Sequence, residues 1–113
     1  MLVIRQDQYE AFSALVFNKY VSDLKIHLQE NFTDQINKLG DLNVEVFIRE
    51  KIEVAESFSI VNGDDIRRFV ESCLDAGPLF YEQFDWAREI LTDSELDGEQ
   101  KMELIDEGCV FAR

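Results

Sequence analysis

Apolar residues recur at three- and four-residue steps along most of the chain, the spacing that places them on one face of an α-helix. The longest such pattern spans residues 5–30, where two adjacent stripes predict a wide buried face and therefore a long helix central to a bundle. Its start, "MLVI", could instead be a short extended arm. The two stripes are Ala14, Phe17, Val21, Leu24 and Leu28, and Tyr9, Phe12, Val16 and Tyr20.

Two further helical patterns follow in the first half of the chain. The stretch "FTDQINKLG" predicts a short helix that Thr33 or Asp34 would cap at its start and Gly40 at its end. A third helix is predicted from about Leu42 to Phe58, with its charged residues outside the apolar stripe. That stripe comprises Val44, Phe47, Ile48, Ile52 and Ala55.

In the second half, "VNGDD" breaks the pattern and begins a new helix, because Asn62 or Asp64 can accept the first N–H groups of that helix. The helix is expected to run to about Ala76 and to end at Gly77–Pro78. Two more helices are predicted, one in the latter part of "LFYEQFDWAREILTD" and one starting near Asp97. The inward residues of these three helices are expected to be Ile66, Phe69, Val70, Cys73 and Leu74; then Trp86, Ile90 and Leu91; then Met102, Ile105 and Val110.

The chain as a whole predicts a small all-α domain over residues 1–113, a bundle of five or six helices. Its 113 residues suffice for one domain, and one proline and five glycines leave room for long regular elements. No stretch shows the strict two-residue alternation of a half-buried strand, and there is no internal repeat or low-complexity segment.

Net charge is the most informative property of the composition. The net charge is −13, and residues 77–113 alone carry ten acidic and three basic residues. A field of this sign repels nucleic acid and anionic lipid and favours a basic protein partner, although solubility alone would also explain it. No stretch reaches the roughly 20 apolar residues of a membrane span. The absence of a signal peptide and of a disulfide framework around Cys73 and Cys109 predicts a reducing cytoplasm.

The stretch "TDSELDGEQKMEL" has the alternating acids and the glycine of a calcium loop. With Asp93 as position 1, however, position 9 is Lys101 and position 12, which should be a bidentate glutamate, is Leu104. The favoured interpretation is a helix junction in which Asp97 and Gln100 form a capping box. No metal ion and no cofactor is predicted.

Catalytic candidates are weaker still. His27 is the only histidine, neither cysteine is adjacent to it in sequence, and no nucleophile-elbow motif surrounds any serine. Carboxylate pairs are numerous, and solvated helix faces explain them. Examples are Asp64 with Asp65, Asp85 with Glu89, and Glu103 with Asp106 or Glu107. There is no phosphate-binding loop and no basic patch with interleaved aromatic residues. The chain is therefore predicted not to be an enzyme.

The aromatic stretch "PLFYEQFDW" has two interpretations. Most of its side chains are expected to pack in the core, but Phe80, Tyr81, Phe84 and Trp86 crowd too closely for one helical face to bury all four. An exposed aromatic residue beside acids is typical of an interface anchor with a charged rim. The predicted partner-binding residues are Tyr81, Glu82, Asp85, Trp86, Glu89, Asp93 and Glu95.

Several short motifs occur in order along the chain. They comprise Ile4, Arg5 and Gln8; His27, Leu28 and Phe32; Arg49, Ile52, Ala55 and Phe58; Asp65, Arg68 and Phe69; and Trp86, Ala87, Ile90 and Leu91. In these positions the chain resembles a group of small bacterial proteins often encoded beside type VI secretion spike or effector genes. The resemblance implies a helical accessory protein that binds another protein, and it implies no catalytic residue. The chain departs from the group at Thr33, where relatives tend to carry proline, and in its more acidic middle helix.

The leading hypothesis is accordingly a non-enzymatic adaptor or chaperone for a secreted effector or spike component. An immunity protein that neutralises a basic toxin is an alternative, since complementary charge accelerates association. Hypotheses from other classes are a small enzyme that uses a carboxylate pair or His27, and an acidic protein that mimics DNA.

Overall fold

The described part of the chain contains seven helices and no β-strand, so the all-α prediction is confirmed. The computed structural model describes residues 11–39 and 43–111. The predictions for residues 1–10, Phe12 and Gly40 lie outside what it describes. The helices are α1 (Ala11–Asn31), α2 (Thr33–Lys38), α3 (Val44–Ser57), α4 (Gly63–Asp75), α5 (Phe80–Gln83), α6 (Asp85–Leu91) and α7 (Gly98–Phe111).

Helices α3, α4 and α7 form the middle of the bundle. Helix α1 packs against α3, α3 against α4, α4 against α7, and α7 against α6. The predicted inward residues of α3 are buried except for Val44, which is half-buried, and all those of α4 are buried. In α7, Met102 and Ile105 are buried, but Val110 is 68% exposed, so its expected burial is wrong.

Local signals set most of the helix ends. The side chain of Asn43 accepts two N–H groups at the start of α3, and that of Asn62 accepts the Asp64 N–H at the start of α4. Gly77 follows α4 with φ of +124°, a conformation that L side chains rarely adopt and that therefore favours glycine. The backbone leaves the helix there because α4 is followed by Pro78.

Helix α2 begins without the predicted side-chain cap from Thr33 or Asp34. The Phe32 N–H donates to the Leu28 carbonyl at 2.8 Å, and the Ile36 N–H donates to the Phe32 carbonyl at 2.9 Å. The hydrogen bonding of α1 thus carries over into α2. The Thr33 hydroxyl donates to the Gln29 carbonyl of α1 at 2.9 Å instead of capping α2.

Three cationic side chains connect helices that are distant in sequence. Lys51 on α3 is only 2% exposed, and its Nζ donates to the Tyr81 hydroxyl of α5 at 3.0 Å. Lys101 on α7 is 4% exposed and donates to the Phe58 carbonyl, at the end of α3, at 2.7 Å. Arg68 on α4 bonds the Asp106 carboxylate of α7. Burying a cation costs free energy unless acceptors surround it, so these contacts fix how the helices meet.

None of the helices in the described ranges combines the length and the apolar character that crossing a membrane requires.

The bond between Lys51 and Tyr81 generates the first testable prediction. Tyr81→Phe keeps the ring but removes the acceptor of a buried ammonium group, so it is expected to lower the free energy of unfolding by about 1.5–3 kcal/mol. Urea denaturation followed by circular dichroism measures this. In a Lys51→Met background the same substitution should cost under about 0.5 kcal/mol, because no cation is left without its acceptor. An equal cost in both backgrounds would contradict the assigned role.

Candidate protein-binding site

The stretch from Pro78 to Trp86 divides its aromatic residues between the core and the surface. Phe80 and Tyr81 are buried, and each ring lies 5.7 Å, centroid to centroid, from the ring of Phe69 on α4. Phe84 is 36% exposed and Trp86 is half-buried. The expectation that the four rings could not all be buried is therefore confirmed.

An interruption between two short helices causes this division. Helix α5 is a single turn that ends at Gln83, and α6 begins at Asp85. Phe84 lies between them in an extended conformation, with φ of −110° and ψ of 118°. It belongs to neither helix, and its ring stacks on that of Trp86 with centroids 5.9 Å apart and planes inclined by 25°.

Trp86 is held in place by a glycine of α7. A Cβ atom added at Gly108 would overlap the six-membered ring of Trp86, so the indole lies directly on the helix backbone. Only a glycine permits this approach without a shift of one partner. One side of the indole therefore packs between α6 and α7, while the residue as a whole stays half-buried and reaches the surface beside Phe84.

Acidic residues lie close to the stacked pair in sequence. Glu82, Asp85 and Glu89 are exposed on α5 and α6. Among the described residues, none of their three carboxylates forms an ion pair with a lysine or arginine. We call Phe84, Trp86 and these three acids the aromatic surface.

The predicted partner-binding residues are only partly brought together. Glu82, Asp85, Trp86 and Glu89 share the aromatic surface, whereas Tyr81 lies in the core, where its hydroxyl accepts a hydrogen bond from Lys51. Asp93 and Glu95 are exposed in the loop between α6 and α7. The Asp93 carboxylate accepts the Glu95 N–H at 2.9 Å and so shapes that loop.

Phe84 is the residue that the sequence prediction omitted. A helix start at Asp85 would have placed Phe84 just before it, and residues at that position lie outside the helical face. The signal was therefore present, but it depended on dividing the aromatic stretch into two short helices instead of one.

The junction between α6 and α7 is a capping box, as predicted. The Asp97 carboxylate accepts the Gln100 N–H at 2.8 Å, and the Gln100 side chain accepts the Asp97 N–H at 3.0 Å. In the described ranges, no group of three or more His, Cys, Asp or Glu residues is placed to hold a metal ion.

The other chemical candidates make contacts between helices. His27 Nε2 on α1 lies 2.7 Å from Glu71 Oε2 on α4. Burial raises the pKa of the Cys73 thiol above its ordinary range, and burial likewise raises the pKa of Cys109. Both thiols are free and protonated near neutral pH, so neither offers the thiolate that nucleophilic chemistry requires.

The carboxylates near Arg68 have unequal environments. Burial raises the pKa of Asp65 above its ordinary value of 3.8, against the lowering effect of the Arg68 guanidinium. Burial by itself would lower the pKa of Arg68, but the hydrogen bond and charge of Asp106 raise it. Arg68 Nε and Nη2 lie 3.0 and 2.7 Å from Asp106 Oδ2. Asp106 is thus already neutralised by a partner within the fold.

Comparison with protein-family models, curated proteins and solved structures found no match for the chain. The resemblance to proteins of type VI secretion loci therefore stays a prediction.

The contact between Trp86 and Gly108 generates the second testable prediction. Glycine to alanine in a helix interior ordinarily gains up to about 1 kcal/mol. Gly108→Ala should instead destabilise the protein by about 1–3 kcal/mol, because the new methyl group overlaps the indole. Urea unfolding followed by the fluorescence of the single tryptophan measures both the stability and the displacement of the ring.

The control is the same substitution in a Trp86→Leu background, where unfolding is followed by circular dichroism because no tryptophan remains. The smaller side chain leaves room for the methyl group, so alanine should there be neutral or stabilising. A Gly108→Ala protein with Trp86 intact and with higher stability than the parent would show that the two residues do not pack as described.

Proposed function

We propose that the chain is a non-enzymatic protein-binding accessory factor, an adaptor or chaperone for a secreted effector or spike component of a bacterial type VI secretion locus. The observation that carries the proposal is the stacked pair of Phe84, which is exposed, and Trp86, which is half-buried, close in sequence to carboxylates that lack a described ion-pair partner.

Aromatic side chains dominate the binding energy of many interfaces, since they bury a large area with few rotatable bonds. Trp86 is already fixed against Gly108, and Phe84 is stacked on Trp86. Little side-chain freedom is therefore lost when a partner covers the pair. Restricted mobility of this kind raises affinity by lowering the entropic cost of binding.

The charge of the surface determines the chemistry of the partner. Glu82, Asp85 and Glu89 are exposed and close to the aromatic pair in sequence, whereas Lys51 and Lys101 are buried. A partner with lysine or arginine beside an apolar or aromatic patch complements this surface. Nucleic acid and anionic membranes do not, because their phosphates carry the same sign of charge.

An immunity protein that neutralises a basic toxin is the second candidate, favoured by the same carboxylates. Coexpression separates the two functions. An immunity protein rescues cells from the toxin, whereas a chaperone raises the level or the delivery of its effector.

The third testable prediction concerns Phe84. The tagged chain should retain a product of a neighbouring gene in a pull-down from the native host, and calorimetry should then give the affinity of the pair. Phe84→Ala is expected to weaken binding about tenfold or more, because the stacked anchor is lost.

Leu15→Ala is the matched control, since Leu15 is a 70% exposed apolar residue on α1. It should change the affinity less than about twofold. The proposal fails if no neighbouring product is retained at several salt concentrations. It also fails if the Phe84 and control variants bind equally well.

A further inference from the structure

The outward face of α7 carries apolar side chains that no described helix covers. Leu104 is 38% exposed and Val110 is 68% exposed. Glu103 and Glu107 lie between them around the helix and are also exposed. The opposite face, with Met102 and Ile105, is fully buried against the bundle. Helix α7 is thus buried on one side and mixed apolar and acidic on the other.

This face forms one side of a groove of about 640 Å³. The groove is lined by Arg68, Glu103, Leu104, Asp106, Glu107 and Val110. Among the described residues that line the groove, Arg68 is the single cation, and its guanidinium is engaged by Asp106 at 2.7 Å and by Asp65 at 3.6 Å. The charge that remains for an incoming group is therefore that of Glu103 and Glu107.

Like charge disfavours a second copy of the chain in this groove. Each copy carries a net charge of −13. In a two-fold symmetric contact the same patch lies on both subunits, so the glutamates of one copy would approach those of the other. A basic occupant gains free energy from the same carboxylates.

The spacing of the carboxylates fits one regular partner element. Glu103 and Glu107 are four residues apart, which places them on the same side of α7 and about 6 Å apart along its axis. Lysine or arginine residues one turn apart on a second helix have the same spacing. Apolar residues on that helix would flank its basic ones and meet Leu104 and Val110.

We propose that this groove binds a basic amphipathic helix of a partner protein, with its cations on Glu103 and Glu107 and its apolar side chains on Leu104 and Val110. This mode of binding is that of a helix laid in a groove. The groove shares no lining residue with the aromatic surface, so the inference does not rest on the function proposed for that surface.

The test uses a synthetic helix-forming peptide of leucine and lysine, arranged so that one face is apolar and the other basic. The peptide is titrated into isotope-labelled full-length chain and followed by amide NMR. Shift changes are expected to concentrate on residues 103–110. The inference is overturned if they concentrate on residues 82–89, if they spread evenly over the acidic surface, or if the peptide does not bind.

Two matched pairs of variants separate charge from apolar contact. Glu103→Gln with Glu107→Gln should weaken peptide binding about tenfold, whereas Glu30→Gln with Glu53→Gln, the same change at exposed sites elsewhere, should weaken it less than about threefold. Leu104→Ser should weaken binding clearly more than Leu15→Ser. Equal effects within the glutamate pair would mean that the peptide responds only to net charge. Equal effects within the leucine pair would mean that it makes no specific apolar contact with Leu104. Either result would contradict the inference.

Sedimentation of the chain alone completes the test. A monomer at the concentrations of the titration is expected. A dimer that Leu104→Ser dissociates would assign the groove to a second copy and overturn the inference. Because the peptide test needs no native partner, its failure is distinct from a failure of the aromatic surface to retain a neighbouring product.

Discussion

Buried and half-buried cations hold this bundle together at the points where helices distant in sequence meet. Lys51 connects α3 with α5, Arg68 connects α4 with α7, and Lys101 connects α7 with the end of α3. The acceptors are a phenol, a carboxylate and a helix carbonyl. A cation buried without an acceptor costs several kcal/mol. These contacts therefore specify how the helices are placed, in addition to the non-directional burial of apolar side chains.

The same contacts shape the surface. Basic residues are few in this chain, and two of those that connect helices already pair with acids, Lys51 with Glu50 and Arg68 with Asp106. The carboxylates of α5, α6 and α7 thus face solvent beside apolar side chains that the bundle leaves partly uncovered. The aromatic surface and the α7 groove are both of this kind. The contact between Trp86 and Gly108 holds α6 against α7, so the two surfaces lie on adjacent helices.

Much of the fold could be predicted from periodicity and caps, because those signals are local. The buried faces of α3 and α4 and the capping box of Asp97 follow from spacing alone. The burial of Lys51 could not be predicted in this way. The residue lies within the apolar spacing of α3, but a lysine is normally expected to be exposed. The site was harder to predict. Whether Tyr81 or Phe84 is buried depends on how α5 packs on Phe69 of α4, a contact that no local pattern encodes.

The reactivity of individual lysines shows whether these cations are buried in the folded protein. Native protein is trace-labelled with an amine-acylating reagent, and mass spectrometry follows each lysine against the same site in denatured chain. Lys51 and Lys101 should be modified about tenfold or more slowly than Lys19 and Lys38, because only opening of the bundle exposes them. Equal rates at all four sites would contradict the account, since the cations would then lie on the surface and could not hold the helices.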